Sequence, residues 1–501
     1  MNIIVHCAVL LPVFLIGFSF ILPVLAHYKY SHIEGLCFTV VSLSSALSAV
    51  LVFRVLQLGP ITYHFGGWSP ALGIEFLIGD YEVLLILLVS LIYLLIFIYM
   101  RPFIKQEVSQ KVVHWYYILL LLLQASLIGI IATNDLFNLF VFVEICALAS
   151  TGVIAVKDDR FSIEAGIKYL FLSSIGSAFI LFAVGLLYMV TGQLNILLAG
   201  ENIQQAAALF PRTVNLSLVF IFLGLALKAA LFPLHIWLPD AYTAAPTPSS
   251  ALLAGLVGKV YVIALIKILF RIYKIDFLAG GDFLSLLAFL AALGIILGSI
   301  FAISQNNIKR LLAYSSVAQI GYIFLGLALV TEHSLTGGLL HIFNHALIKT
   351  LLFLAAGVIF YQTGTEKISD FRGLAYDYPL TMIFFSVGAL SMIGIPPLNG
   401  FMSKWFLGMG TLQAEKPFFL VVILLSSFLN ALYYLPLIIR AFFSREREEQ
   451  QYCWEFSRLS KMAWIPMLFL AAAVIVFGIF PGVPLYFIEE IVGEVMLVSS
   501  L

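Results

Sequence analysis

Runs of apolar residues long enough to cross a bilayer recur along this whole chain, separated by short polar breaks. About 20 apolar residues make one spanning helix. On that measure the pattern predicts about fourteen spans, near residues 3–26, 35–56, 82–100, 113–132, 135–156, 164–190, 214–236, 247–271, 282–303, 309–330, 334–361, 379–408, 417–443 and 462–485. The longest early break, residues 57–81 (GPITYHFGGWSPALGIEFLIGDYEV), alternates apolar and polar positions around a Gly-Gly and a Pro. That pattern predicts a small hairpin at the membrane surface.

Two spans carry helix breakers. In the seventh, LALKAALFPLHIWLPDAY places Pro233 and Pro239 just after Lys228; in the twelfth, SMIGIPPLNGFMSKWFL places Pro396, Pro397 and Gly400 just before Lys404. Proline removes a backbone donor and opens a helix. At membrane depth such irregular backbone is tolerated only where it is buried in protein or lines a wet cavity. The breaks fall five spans apart, each beside a lysine, which predicts an internal repeat with its site at the broken helices.

Loop charge tests the span count. Alternate loops, beginning after the first span, carry Lys29; Arg101, Lys105 and Lys111; Lys157 and Arg160; Lys309 and Arg310; Lys367 and Arg372; and Arg440, Arg445, Arg447, Arg458 and Lys461, fifteen basic residues. The other side holds only Arg54, Arg212, Lys267, Arg271, Lys274 and Lys416. The positive-inside rule then places both termini outside the cytoplasm.

Composition agrees. Of 501 residues, 62% are hydrophobic and 10% charged, and mean hydropathy is +1.09. A soluble domain of this length needs far more polar surface. Net charge is zero, which implies no nucleic-acid partner. Cys7, Cys37, Cys146 and Cys453 are too widely spaced for a CxxC metal or iron–sulfur site, and no metal or cofactor is implied. The N-terminal MNIIVHCAVLLPVFLIGF has no basic n-region or small-residue cleavage site, so it is read as a retained first span.

Against this background the charged residues inside spans stand out, because each costs roughly 2.5–3.5 kcal/mol at the bilayer centre. Glu144 lies mid-span in DLFNLFVFVEICALAS, Lys228 in the seventh span, Lys259 in ALLAGLVGKVYVIALI and Lys404 in the broken twelfth. His341, His345 and Lys349 in HIFNHALIKTLLFLAAG are spaced i, i+4, i+8 and share one helix face, bordered by Asn344. Desolvation favours the neutral form of a buried lysine and a nearby carboxylate favours the charged form, so moving one charge switches its neighbour. Histidine titrates near neutral pH and can pass protons between such stations. A single lysine of this kind could instead snorkel to an interface, and a lone histidine could be a packing residue. Several deep ionisable groups together, two beside helix breaks, favour a proton pathway. Asp135, Lys168 and Asp240 lie near span ends and are read as structural.

These stretches are similar to the proton/cation antiporter-like family, which includes large subunits of Mrp-type multisubunit antiporters and pumping subunits of complex I and membrane-bound hydrogenases. The matching segments are NDLFNLFVFVEI, LGLALKAALFPLHIWLPDAYTAAPTPSSALLAGLVGKV, NIKRLLAYSSVAQIGYIFLG, HIFNHALIKTLLFLAAG and GIPPLNGFMSKWF, in order between about residues 130 and 410. HFGGWSPALGIEF resembles the D-type large subunits of the Mrp antiporters and their relatives in membrane-bound hydrogenases. The resemblance implies an all-α polytopic fold of about fourteen helices with two inverted five-helix repeats. These would be residues 113–271 and 282–443, preceded by a three-helix segment at 1–112 and followed by a helix and tail at 444–501. It implies that Glu144 and Lys228 form a glutamate–lysine pair, that Lys259 is a central lysine, that His345 and His341 link two half-channels, and that Lys404 is a terminal station.

The function implied is that of a proton-translocating subunit of an Mrp-type Na+/H+ antiporter in a prokaryotic cell membrane. It would work without a redox cofactor beside other membrane subunits and lipid, moving H+ with or without Na+. The alternative is a pumping subunit of a membrane-bound hydrogenase or complex I-type enzyme. A third reading is a membrane scaffold whose buried charges merely pair. Two departures mark a divergent member: Pro248 and Gly258 in TPSSALLAGLVGKV, and Asn307 in place of a frequent acidic residue before Lys309-Arg310.

Overall fold

The computed structural model describes residues 3–28, 33–444 and 459–497. Cys453 and four of the loop cations counted above (Lys29, Arg445, Arg447 and Arg458) lie outside them. Among the described residues thirteen helices are long and apolar enough to cross a membrane, and the shorter apolar helix Pro379–Ile393 supplies the broken twelfth span. The ordinal numbering predicted from the sequence therefore stands: the third to sixth spans are Asp80–Met100, Val113–Ala132, Leu136–Ala155 and Arg160–Thr191.

The breaks fall at the predicted prolines. The seventh span is helical over Pro211–Lys228, irregular through Pro233, and helical again over Leu238–Ala244. The twelfth is Pro379–Ile393 and Asn399–Gln413, with Pro396 and Pro397 between them. The hairpin also forms. Strand β1 (Ile61–His64) pairs antiparallel with β2 (Glu75–Ile78), Ile61 opposite Ile78 and His64 opposite Glu75. The turn begins at Gly66 and Gly67, whose φ values of 65° and 75° suit glycine.

Burial sorts the spans into centre and rim. The most apolar windows of the eighth (Thr247–Ala279) and eleventh (Glu332–Thr363) are 100% buried and that of the tenth (Ile308–Leu329) 94%, whereas those of the sixth and thirteenth (Pro417–Phe443) are 39% and 33% buried. The first group lines the interior, and the second presents apolar side chains outward, as a lipid-facing perimeter requires.

Local structure repeats between the halves. Entering the fifth span, Leu136 N donates to Leu194 O at 2.8 Å and Ile196 N to Asn134 O at 2.9 Å. Entering the tenth, Ile308 N donates to Glu366 O at 2.8 Å and Ile368 N to Asn306 O at 2.9 Å. Each junction thus ties the loop before one span to the loop after the next. Both spans are capped alike: Asp135 accepts from Asn138 N at 2.6 Å and Asn307 from Arg310 N at 3.1 Å.

Three features were not anticipated. The eighth span runs on to Ala279 and contains two π-helical segments, Leu253–Val257 and Leu269–Tyr273. Lys267 and Arg271, counted as loop cations, therefore sit inside it. Lys267 is buried and donates to Ile131 O at 2.8 Å and Thr133 O at 2.7 Å, at the C-terminal end of the fourth span. A further helix, Gly482–Leu497, follows the fourteenth span, Lys461–Ile479.

The third feature is a buried ionic junction. Glu107, on the turn Ile104–Glu107, accepts the backbone N–H of Thr247 at 3.0 Å and the Tyr361 hydroxyl, and pairs with Lys157 at 2.8 Å. Lys309, fully buried rather than a free loop charge, lies 4.0 Å from Glu107 and 3.0 Å from Glu366. Burial opposes the Glu107 charge, but Lys309, Lys157 and the hydrogen bonds from Lys157 and Tyr361 outweigh it and hold the carboxyl at about 2. This carboxylate fixes the start of the eighth span to the tenth and eleventh.

Candidate functional site

The site begins where the sixth and seventh spans cross. A side chain at Gly224 would meet Gly176 O at 2.6 Å, so only glycine permits this approach. The crossing brings Ser173 and Ser177, one turn apart on the sixth span, onto Lys228 and Glu144. Lys228 is 1% exposed. Its ammonium donates to Ser173 Oγ at 2.8 Å and lies 3.6 Å from Glu144 Oε1, and the Ser177 hydroxyl donates to the same carboxylate oxygen. The Tyr261 ring completes the pocket 5.7 Å from the Lys228 ammonium. The Glu144 side chain is one-third exposed, so this pair stands at the rim of the row.

Lys259 follows the first π segment, which turns the Ala254 carbonyl toward its ammonium; the two are hydrogen-bonded. Beside it Gly255 abuts Thr350, giving a close contact with the eleventh span. His345 on that span is fully buried, and neither ring nitrogen has a hydrogen-bond partner among the described residues. It lies within Coulombic reach of Lys259 and Lys349. Its ring stacks on His341, 5.7 Å between centroids and 14° between planes. His341 is held at both nitrogens, by Ser403 Oγ at 2.9 Å and Gln319 Oε1 at 3.0 Å. Lys349 donates to Leu312 O at 2.7 Å and to the Ser315 hydroxyl.

Lys404 closes the row. Its ammonium donates to Met392 O at 2.8 Å, Ile393 O at 3.1 Å and Ser427 Oγ at 3.2 Å. It therefore caps the carbonyl end of the first half-helix of the twelfth span, where the break leaves acceptors unpaired. The Tyr322 ring lies 5.0 Å away. Across the break, Asn344 donates to Asn399 O at 2.8 Å and Asn399 Nδ2 to Asn344 Oδ1 at 3.1 Å, fixing the second half-helix to the eleventh span.

The predicted residues thus fall into a glutamate–lysine pair, a central lysine and a histidine–lysine group ending at Lys404. Among the described residues no hydrogen bond joins Lys259 to Lys228 or to His345. No group of three His, Cys, Asp or Glu side chains among them is arranged to hold a metal. Sequence reasoning missed Ser173, Ser177, Gln319, Ser403 and Asn399, which orient the charged groups. Their signal was present as polar residues inside apolar spans, with Ser173 and Ser177 at i, i+4.

Fold and site together define a polytopic α-helical membrane protein with a row of ionisable residues through its interior. The chain belongs to the NADH:quinone oxidoreductase/Mrp antiporter transmembrane family, which it matches over residues 133–430. It is 41% identical over 448 residues to the N subunit of the NADH-quinone oxidoreductase of Desulforudis audaxviator (strain MP104C), covering 87% of this chain and 88% of that one. It is 32% identical to the D-type subunit of the Na(+)/H(+) antiporter of Bacillus subtilis (strain 168), over 80% of each chain. Among solved structures it is similar to a chain of the membrane-bound sulfane sulfur reductase, an archaeal respiratory membrane complex. There the TM-score is 0.90, with 31% identity and 97% of each chain covered.

Proposed function

We propose that this chain is a proton-translocating subunit of an Mrp-type multisubunit Na+/H+ antiporter, moving protons along Glu144, Lys228, Lys259, His345, His341 and Lys404, with Lys349 as a side station. The observation that carries this reading is Lys228. It is buried at the edge of a broken helix, 3.6 Å from a carboxylate and bonded to a serine, an arrangement in which small motions change the balance between charged and neutral forms. A proton leaving Lys228 for Lys259 leaves the Glu144 carboxylate unpaired, and that charge draws the next proton from the intake side. His345, with both nitrogens unpartnered between two lysines, is free to accept on one nitrogen and release from the other. Pro233, Pro396 and Pro397 keep the backbone open at the two ends.

The two halves, residues 113–271 and 282–443, act in this reading as inverted repeats. What supports this is the matching junctions at the fifth and tenth spans, which lie an odd number of crossings apart, as inverted repeats require. In this reading the protein sits in a prokaryotic cell membrane beside other membrane subunits, and the asymmetry of its basic loops supports an orientation with both termini outside the cytoplasm.

A second reading, a pumping subunit of a redox-driven complex, is favoured by the relatives named for NADH-quinone oxidoreductase and sulfane sulfur reductase. Inverted vesicles carrying the native complex separate the two. With a preformed proton gradient and no electron donor, addition of Na+ should collapse the gradient. If only an electron donor energises proton movement and Na+ has no effect, the redox reading replaces the antiporter one.

A further inference from the structure

The end of the eighth span, strand β2, the surface helix Ile196–Leu209 and the helix Gly482–Leu497 surround a cavity of about 430 Å³. Leu197, Phe270, Ile491 and Val495 give it apolar walls, whereas one edge carries Lys267, Arg271 and Lys274 from the eighth span against a single carboxylate, Glu201. Two of these cations are committed: Lys267 to the carbonyls of Ile131 and Thr133, and Arg271 to Glu82 at 3.0 Å. The Lys274 ammonium has no hydrogen-bond or ion-pair partner among the described residues. Its backbone is held at φ 60°, ψ 162°, a region that residues with side chains rarely occupy and that clusters at binding sites.

Depth identifies the ligand. The eighth span is helical from Thr247 to the break at Lys274, about 40 Å against a hydrocarbon core of roughly 30 Å, so its end reaches the headgroup layer. With Glu82 and Glu201 set against Lys267 and Arg271, Lys274 is the charge in excess, and an apolar cavity edged by it at that level matches a lipid with an anionic head. The wall residue Leu197 is 41% exposed, so acyl chains have a way in from the bilayer. We propose that this cavity binds an anionic phospholipid, its phosphodiester against Lys274 and its acyl chains along Leu197, Phe270, Ile491 and Val495.

The test uses the purified complex in mild detergent with phosphatidylglycerol or phosphatidylcholine carrying a photoreactive acyl chain, adducts being mapped by mass spectrometry. Phosphatidylglycerol should label the peptides containing Leu197 or Ile491 several-fold more than phosphatidylcholine. Lys274→Gln should cut that labelling about fivefold with subunit composition unchanged, Lys274→Arg should preserve it, and excess inorganic phosphate should not compete. Equal labelling by both lipids, no labelling, or undiminished labelling in Lys274→Gln would overturn the proposal. Displacement by inorganic phosphate would overturn it in favour of a free-phosphate site. The readout involves no transport, so it stands or falls separately from the antiporter reading.

Discussion

His345 is the residue at which a structural and a functional role can be separated most cleanly. A buried polar group without a partner costs stability, and His345 has two such nitrogens. Replacing it with Phe keeps an aromatic ring to stack on His341 and removes both unpaired atoms. Stability should be unchanged or raised in a thermal melt, while cation-driven proton exchange is lost; retained exchange would remove His345 from the pathway. Lys404 poses the opposite problem, since it caps Met392 and Ile393 and could be needed only for that. Arginine keeps the charge and the donors but does not give up its proton. Lys404→Arg should therefore assemble normally and lose exchange by about tenfold or more, on the scale of a removed proton-transfer group. The charged residues were legible in the sequence because each is rare inside a span. Their partners Ser173, Gln319 and Ser403 were not, because serine and glutamine in a span are common and only the crossing geometry shows which charge they meet.

At the scale of elements, the prolines announced both helix breaks and the alternating pattern announced the hairpin, because each acts on its own local backbone. The π segments of the eighth span left no such mark; the first coincides with the packing of Gly255 on Thr350 and with the Ala254 carbonyl to which Lys259 donates. The crossing of the sixth and seventh spans is a third case, visible only once Gly176 and Gly224 are seen to face one another. Gly224→Leu should force these spans apart, cost about 1–3 kcal/mol of stability and weaken exchange by drawing Lys228 from Ser173. Gly185 on the same sixth span has no atom within 4 Å of a built side chain, so Gly185→Ala should leave both thermal stability and exchange near wild type.

Across the whole molecule, several of the positions counted as loop charge serve the interior. Lys267 ties the eighth span to the fourth, and Lys309 joins Glu107 and Glu366. Sequence could not show this, since a lysine at a span boundary reads the same whether it faces water or a buried carboxylate. Glu107→Gln leaves Lys309 and Lys157 short of a counter-charge and should destabilise the protein by about 3–5 kcal/mol. With its carboxyl held at about 2 against an ordinary 4.5, Glu107 contributes stability that is complete above about pH 4.5 and fades as pH falls toward 2. Melts of wild type and Glu107→Gln should differ by a constant amount between pH 8 and 5 and converge in stronger acid; a gap that narrows near neutral pH would contradict the assignment.

The central claim, that a buried glutamate–lysine pair drives proton movement through this chain, is tested most directly at Lys228. Proton/cation exchange is measured in inverted vesicles carrying the complex with Lys228→Ala, after subunit composition is checked on the purified assembly. The expected result is an intact complex with exchange abolished. Exchange at the wild-type rate in that intact complex would contradict the claim.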